Sequence, residues 1–411
     1  MEKIIFIMLF IFSSPLLAKF DADFSGNLEA QVRHAWNNDL AKGSPLYQNW
    51  SESDFYLLYG NLSSKIELDN SRIDANLFGR YTQSELYRGT TVLGQDVPYI
   101  APNAYLFPKK LVARDIFNLQ DIQQGDNYQR ELILNKLFYE WDYDEHRFMA
   151  GRIYINYGLG EIFNPINPFN QPTGLTAISQ VAQGNDGLNF TFFVSDKYTI
   201  DFYFLGDKNL AGYENQIQKT LWAHGEYLYS NNLQFDYVIG EDQNRHKLGG
   251  QVKYNFSEAM IFFQTLYQSS YVDKQESDSL WDVMIGYDQQ VTNKWHVRFE
   301  GGHQKEDSVL KAAQQTNPKL INFNNRFLPS EYFLALANQY EMHPLVKLGG
   351  TIINDVKTGF TYFITRNTFD LGHSTEAELY AYLPMAKGND TDNKLQKLVT
   401  TDIGFALRTF F

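Results

Sequence analysis

The sequence contains no cysteine. Structural disulfides, thiolate metal sites and thiol catalysis are thereby excluded, and a thiol-free chain suits passage through an oxidising periplasm. Beyond Ala18 there is no apolar run near the about 20 residues that a membrane helix needs, so any membrane-spanning structure must be built from strands. Positive charge is not in excess: the formal net charge is -13. A phosphate backbone needs a basic face, so nucleic acid is not expected as a partner. No Ser/Gly-rich or Pro-rich linker divides the chain, which therefore reads as one large domain behind a leader. His224, His296, His303 and His343 stand outside any nucleophile motif, and no His-x-x-x-His or clustered carboxylates mark a transition metal. No catalytic residue, metal or cofactor is expected from this pattern. Glu241, Asp242, Asp390 and Asp392 read as solvated loop acids.

What is present begins with a leader. Lys3, the apolar run Ile4 to Phe12 and the close Ser13-Ser-Pro-Leu-Leu-Ala18 read as a secretory signal peptide over 1–18, leaving 19–411 as the mature domain. Aromatic residues make up 16% of the chain, with 27 Tyr and 32 Phe, yet the mean hydropathy is -0.39. A chain this aromatic and this polar suits a shell whose two faces meet different solvents.

Short alternating segments recur from Phe20 to the end. Leu28, Ala30 and Val32 alternate with Glu29, Gln31 and Arg33; Leu137, Tyr139 and Trp141 alternate with Lys136, Phe138 and Glu140. Side chains on a strand point alternately to its two faces, so each segment is a strand with one apolar and one polar face. Tight polar turns such as Asp69-Asn70 alternate with longer segments at 38–53, 88–130, 160–186, 207–219, 304–329 and 387–396. Leu111 to Leu119 within the longest of these reads as a short helix. Short turns on one rim and long loops on the other predict an all-β, antiparallel transmembrane β-barrel of about 18 strands, with 16 as the alternative. Its long loops are extracellular, and one of them folds into the lumen.

With the apolar face toward lipid, the lumen is lined by Arg33, Lys65, Arg80, Lys136, Arg152, Lys253, Arg298 and Arg408 together with Glu29, Glu140, Glu300 and Glu376. Tyr154 and Asn156 join Arg152 on the polar side of the strand that starts at Gly151, while Ile153, Ile155 and Tyr157 take the greasy side. A mixed-charge lining either selects solutes passing through water or fills the wall as paired ladders. After that strand, Asn164-Pro165 and Asn167-Pro168 forbid both helix and central strand. The loop from Glu161 to Gly184 is the candidate constriction, with Glu161, Asn164, Asn167 and Asn170 available to a solute.

Two stretches resemble known families. The last strand, with Ile403, Phe405, Leu407 and Phe411 on one face, resembles the assembly signal of bacterial outer-membrane barrels, which implies recognition of Phe411 by the barrel-assembly machinery. Gly151, Arg152, Ile155, Gly158, Gly160, Asn164, Pro165 and Phe169 resemble a hallmark of porin-like outer-membrane barrels. In that hallmark Trp stands at the place of Tyr157, Gln at that of Ile153 and Asp near that of Asn167. The resemblance implies the bacterial outer membrane as location, lipids and lipopolysaccharide as surroundings, and small hydrophilic solutes as cargo. Polysaccharide export and a blocked structural or adhesion barrel are the alternatives.

Overall fold

The computed structural model describes residues 21–36, 52–84, 90–92, 95–97, 112–114, 120–124, 128–169, 184–207, 218–242, 245–269, 279–304, 331–357, 359, 361–386 and 401–411. The leader, Asn170, Asp390 and Asp392 lie outside them. Eighteen long strands form one closed antiparallel wall. In chain order they are β1 (Asp21–Trp36), β2 (Glu52–Leu68), β3 (Ser71–Ser84), β4 (Tyr128–Tyr143), β5 (His146–Tyr154) and β6 (Gly184–Ser195). There follow β7 (Tyr198–Asp207), β8 (Gln218–Ser230), β9 (Leu233–Asp242), β10 (Arg245–Phe256), β11 (Ala259–Gln268) and β12 (Leu280–Thr292). The ring is completed by β13 (Trp295–Gln304), β14 (Tyr332–His343), β15 (Val346–Asp355), β16 (Thr361–Gly372), β17 (Thr375–Ala386) and β18 (Thr401–Phe410). Each strand pairs with its sequence neighbours, and β1 pairs with both β2 and β18, from Asn27 opposite Phe410 to Trp36 opposite Thr401.

The two rims differ as the turn chemistry predicts. On one rim every connection is two residues long, at 69–70, 144–145, 196–197, 231–232, 257–258, 293–294, 344–345 and 373–374. Asp69, Asp144, Ser257, His373 and Ser374 in these turns have positive φ, the conformation that lets a two-residue hairpin follow the twist of its strands. The other rim carries all the long connections, together with two short ones at 243–244 and 356–360.

Alternation sets the faces. In β18, Asp402, Gly404 and Ala406 are buried inside while Ile403, Phe405 and Leu407 are exposed outside, and β1 repeats this with Glu29, Gln31 and Arg33 inside and Leu28 and Val32 outside. A closed wall with an apolar exterior and a polar interior is the architecture of a bacterial outer-membrane barrel: the strands hydrogen-bond side to side around the ring, so that no open sheet edge faces hydrocarbon.

The wall is interrupted at β5. β5 pairs with β4 only as far as Leu137 opposite Arg152, and leaves the sheet after Tyr154. Above that point the free edge of β4 is taken by Gln120–Gln124, and Val112–Arg114 runs parallel beside Gly184 and Asn185 of β6. The longest loop thus returns two short strands to the wall where β5 departs. This corrects the short helix expected over Leu111 to Leu119: its described part, Val112–Arg114, is extended.

Candidate functional site

The departing segment, 155–169, enters the barrel. Ile162 and Phe163 pack among Phe262, Met284, Phe333, Tyr362 and Tyr380. Ile155, Ile166 and Phe169 pack among Phe138, Tyr203, Trp222, Val238 and Leu266. These wall residues come from strands around most of the ring, so the loop lies across the interior rather than against one side. Burying such apolar side chains stabilises by about 1.5–3 kcal/mol each, which holds the loop in place without regular structure.

The face assignment on β5 differs from the sequence reading. Ile153 stands opposite Asn185, on the inner face shared with Asn189 and Thr191, and is 0% exposed; Ile155 follows it inside. Arg152 stands opposite Asp186 and Leu137, on the face of Leu188 and Phe190, opposite to the inner one. There its Nε and Nη2 donate to the two carboxylate oxygens of Asp186 at 2.6 and 2.9 Å, and Nη1 donates to the carbonyl of Leu134 at 2.8 Å. Arg152 therefore ties β6 to β4 across the place that β5 vacates. Tyr154 accepts from Asn135 Nδ2 at 2.6 Å, with the Lys136 ammonium 5.2 Å from its ring.

Glu300 on β13, nearly opposite β5 in the ring, pins the loop. Its Oε1 accepts from Glu161 N at 2.7 Å and its Oε2 from Ile162 N at 2.9 Å. Arg298 completes the clamp: Nε donates to Glu300 at 2.7 Å, Nη1 to Glu161 Oε1 at 3.2 Å and to Asp288 at 2.8 Å, and Nη2 to the carbonyl of Leu159. The guanidinium lies 5.1 Å from the Phe262 ring centroid. Two charged wall residues read only as lining thus hold loop backbone.

Asn164 and Asn167 are turned to the loop itself. Asn164 Nδ2 donates to the carbonyl of Tyr157 at 2.7 Å; Asn167 Nδ2 donates to those of Ile155 and Tyr157, and Asn167 Oδ1 accepts from Phe169 N at 3.2 Å. Both are buried, so the expectation that they face a solute is replaced by a structural role: each satisfies loop carbonyls that no strand partner reaches. Glu161 and Asn156 are exposed. The Tyr157 ring stacks on His224 at 4.3 Å, and His224 Nδ1 lies 3.3 Å from Asp201.

Most of the other lining charges sit in pairs. Arg33 bonds to Asp402, both fully buried, and Arg408 bonds to Glu29 at 2.5 Å with Glu376 at 3.6 Å. Arg80 pairs with Glu131 at 2.5 Å, Lys136 with Asp74 at 2.6 Å and Arg72 with Glu140 at 2.6 Å. Lys65 pairs with Glu67 in a more exposed position. Lys253 faces Gln234 and Phe262 across the sheet and has no ion pair among the described residues. Asp242, read as a solvated acid, is buried and accepts from Thr220 and from Lys247 at 2.7 Å. Sequence reasoning missed Glu131 and Asp186. Glu131 lies beyond a register shift at Asn135 that breaks the alternation read from Lys136 onward, and Asp186 is only the third residue of β6 after a long loop.

No family model matches the sequence, and no curated protein matches it. Solved structures with the same fold include Acinetobacter baumannii OccAB4, at TM-score 0.56 and 7% identity over 97% of this chain and 100% of that one. Acinetobacter baumannii OccAB1 gives 0.56 and 9% over 95% and 96%, and Pseudomonas aeruginosa OccK8 (OprE) gives 0.54 and 8% over 95% and 98%. At this identity the likeness is one of fold, and it spans the whole barrel.

Proposed function

We propose that this barrel is a passive channel for small hydrophilic solutes, narrowed by the loop that follows β5. The reading rests on three features taken together: a belt of exposed apolar residues, an inner face of charged and amide side chains, and a loop held across the interior. The observation that carries it is the Glu300 clamp. A loop that merely capped the rim would have no reason to present two backbone N–H groups to a buried carboxylate on the far wall. Because most lining charges are compensated in pairs, the passage is polar without a strong field of one sign, which favours hydration and width over net charge as the basis of selection.

Current across planar bilayers tests this. The purified protein is expected to conduct, and deletion of 163–172, which removes Phe163, Ile166 and Phe169, is expected to raise the conductance. Unchanged conductance would take the loop out of the path. A complete lack of current in the parent protein would instead support a structural barrel, a reading favoured at one level by the dense packing of Ile162, Phe163 and Ile166. Current blocked by an anionic polymer would support export.

A further inference from the structure

Around most of the ring the outward positions are apolar: Phe190, Phe204, Ile239, Val252, Phe263 and Ile285 are exposed on successive parts of it. Three adjacent strands break the pattern. Asn338 of β14 stands opposite Gly350 of β15, Gly350 opposite Thr365 of β16, and Leu348 opposite Asn367. Their alternate neighbours Phe333, Ala335, Ile353, Tyr362 and Ile364 are buried inside, so Asn338, Thr365 and Asn367 face outward. They are not at a rim. Tyr340 and Met342 separate Asn338 from the tight turn, and Leu336, Leu334 and Tyr332 continue β14 on its other side, all exposed. Phe369 and Leu371 lie below Asn367, and Phe363 lies above Thr365.

These groups are only partly satisfied. Asn338 Nδ2 donates to the carbonyl of Gly350 at 3.3 Å, Asn367 Nδ2 to Thr365 Oγ1 at 3.2 Å, and Thr365 Oγ1 to the carbonyl of Gly349 at 3.0 Å. A carboxamide has two N–H donors and an acceptor oxygen. Among the described residues, one donor and the oxygen of each of Asn338 and Asn367 have no partner. In hydrocarbon no water supplies one, and an unmet polar group there costs several kcal/mol by the usual order of magnitude.

We propose that this patch is the surface on which a second copy of the chain docks in the membrane. The patch is neutral, so it offers nothing to a charged headgroup, and its mid-strand depth keeps it from the headgroup layer. Carboxamides donate and accept equally well, so the same patch on a two-fold-related copy complements itself, as an isologous contact requires. Gly350 adds no side chain between the Asn338 amide and the Phe363 ring, so the wall stands low there and a second wall can approach it, as small residues allow between membrane segments. The inference depends on the barrel being embedded, not on its conducting.

The absence of cysteine makes the test direct. Asn338→Cys carries the sole thiol, and Val252→Cys places the same probe on the wall between the outward Phe235 and Phe263. Under copper-phenanthroline oxidation of outer membranes, Asn338→Cys is expected to give a disulfide-linked species with the mass of two chains, and Val252→Cys to give none. The full-length parent in mild detergent is expected to have the molar mass of two chains, falling to one in the Asn338→Leu/Asn367→Leu variant. Heat-modifiable electrophoretic mobility confirms that the variant is still a folded barrel. A one-chain mass for the parent, equal cross-linking of the two cysteine variants, or a product joined to a different protein would each overturn the proposal.

Discussion

Gly151 governs where the loop leaves the wall. Its φ is +127°, and a Cβ there would stand 2.3 Å from the carbonyl oxygen of Leu137, so no other residue fits without moving β4. Gly158 serves the loop in the same way, with φ of +79° and the Asn164 side chain 2.3 Å from where its Cβ would be. Next to Gly151, Arg152 and Asp186 form an ion pair with neither side chain exposed. Removing one partner from such a pair leaves a buried charge and costs about 3–5 kcal/mol. Asp186→Leu is accordingly expected to lower the midpoint of urea unfolding in lipid vesicles well below the parent's, and an unchanged midpoint would show that the junction of β4 and β6 does not need the Arg152 tie. The sequence marked Gly151, Arg152, Gly158 and Asn164 as special, but not how. Whether a side chain on β5 faces in or out depends on its register with β4 and β6, which comes from partners distant in the chain.

At the level of elements, the strands were legible because a wall between lipid and water imposes period-two alternation on nearly every segment. The tight turns were legible because their polar residues interrupt it. Two things were not. Val112–Arg114 and Gln120–Gln124 are too short to show a period, and their pairing partners lie on β6 and β4. The inward course of 155–169 was suggested by its prolines and glycines, whereas its anchor on β13 was not, since nothing local to Glu300 announces a backbone partner at Glu161. Glu300→Ala removes both acceptors of that anchor. Its channel is expected to flicker between conductance levels in single-channel recordings where the parent holds one level; a steady trace would show that apolar packing alone positions the loop.

For the whole molecule, the count of about eighteen strands followed from the alternation of turns and loops, and the ring closes at that number. The apolar belt fixes how the ring sits in a bilayer. Ile285, outward and 51% exposed midway along β12, marks its depth. Arginine on the lipid face near the midplane costs about 2–4 kcal/mol and less toward either interface. Ile285→Arg is expected to destabilise the vesicle-embedded barrel by that amount in a denaturant titration, and a negligible change would place this position outside the hydrocarbon.

The pairing of β1 with β18 joins segments from opposite ends of the described chain. Until that seam zips, any nascent curl of strands exposes two raw margins of unmet amides and carbonyls, each able to capture a stranger's strand. Contacts this distant along the polypeptide also form slowly. Biogenesis must therefore shelter both margins at once and release them only to each other.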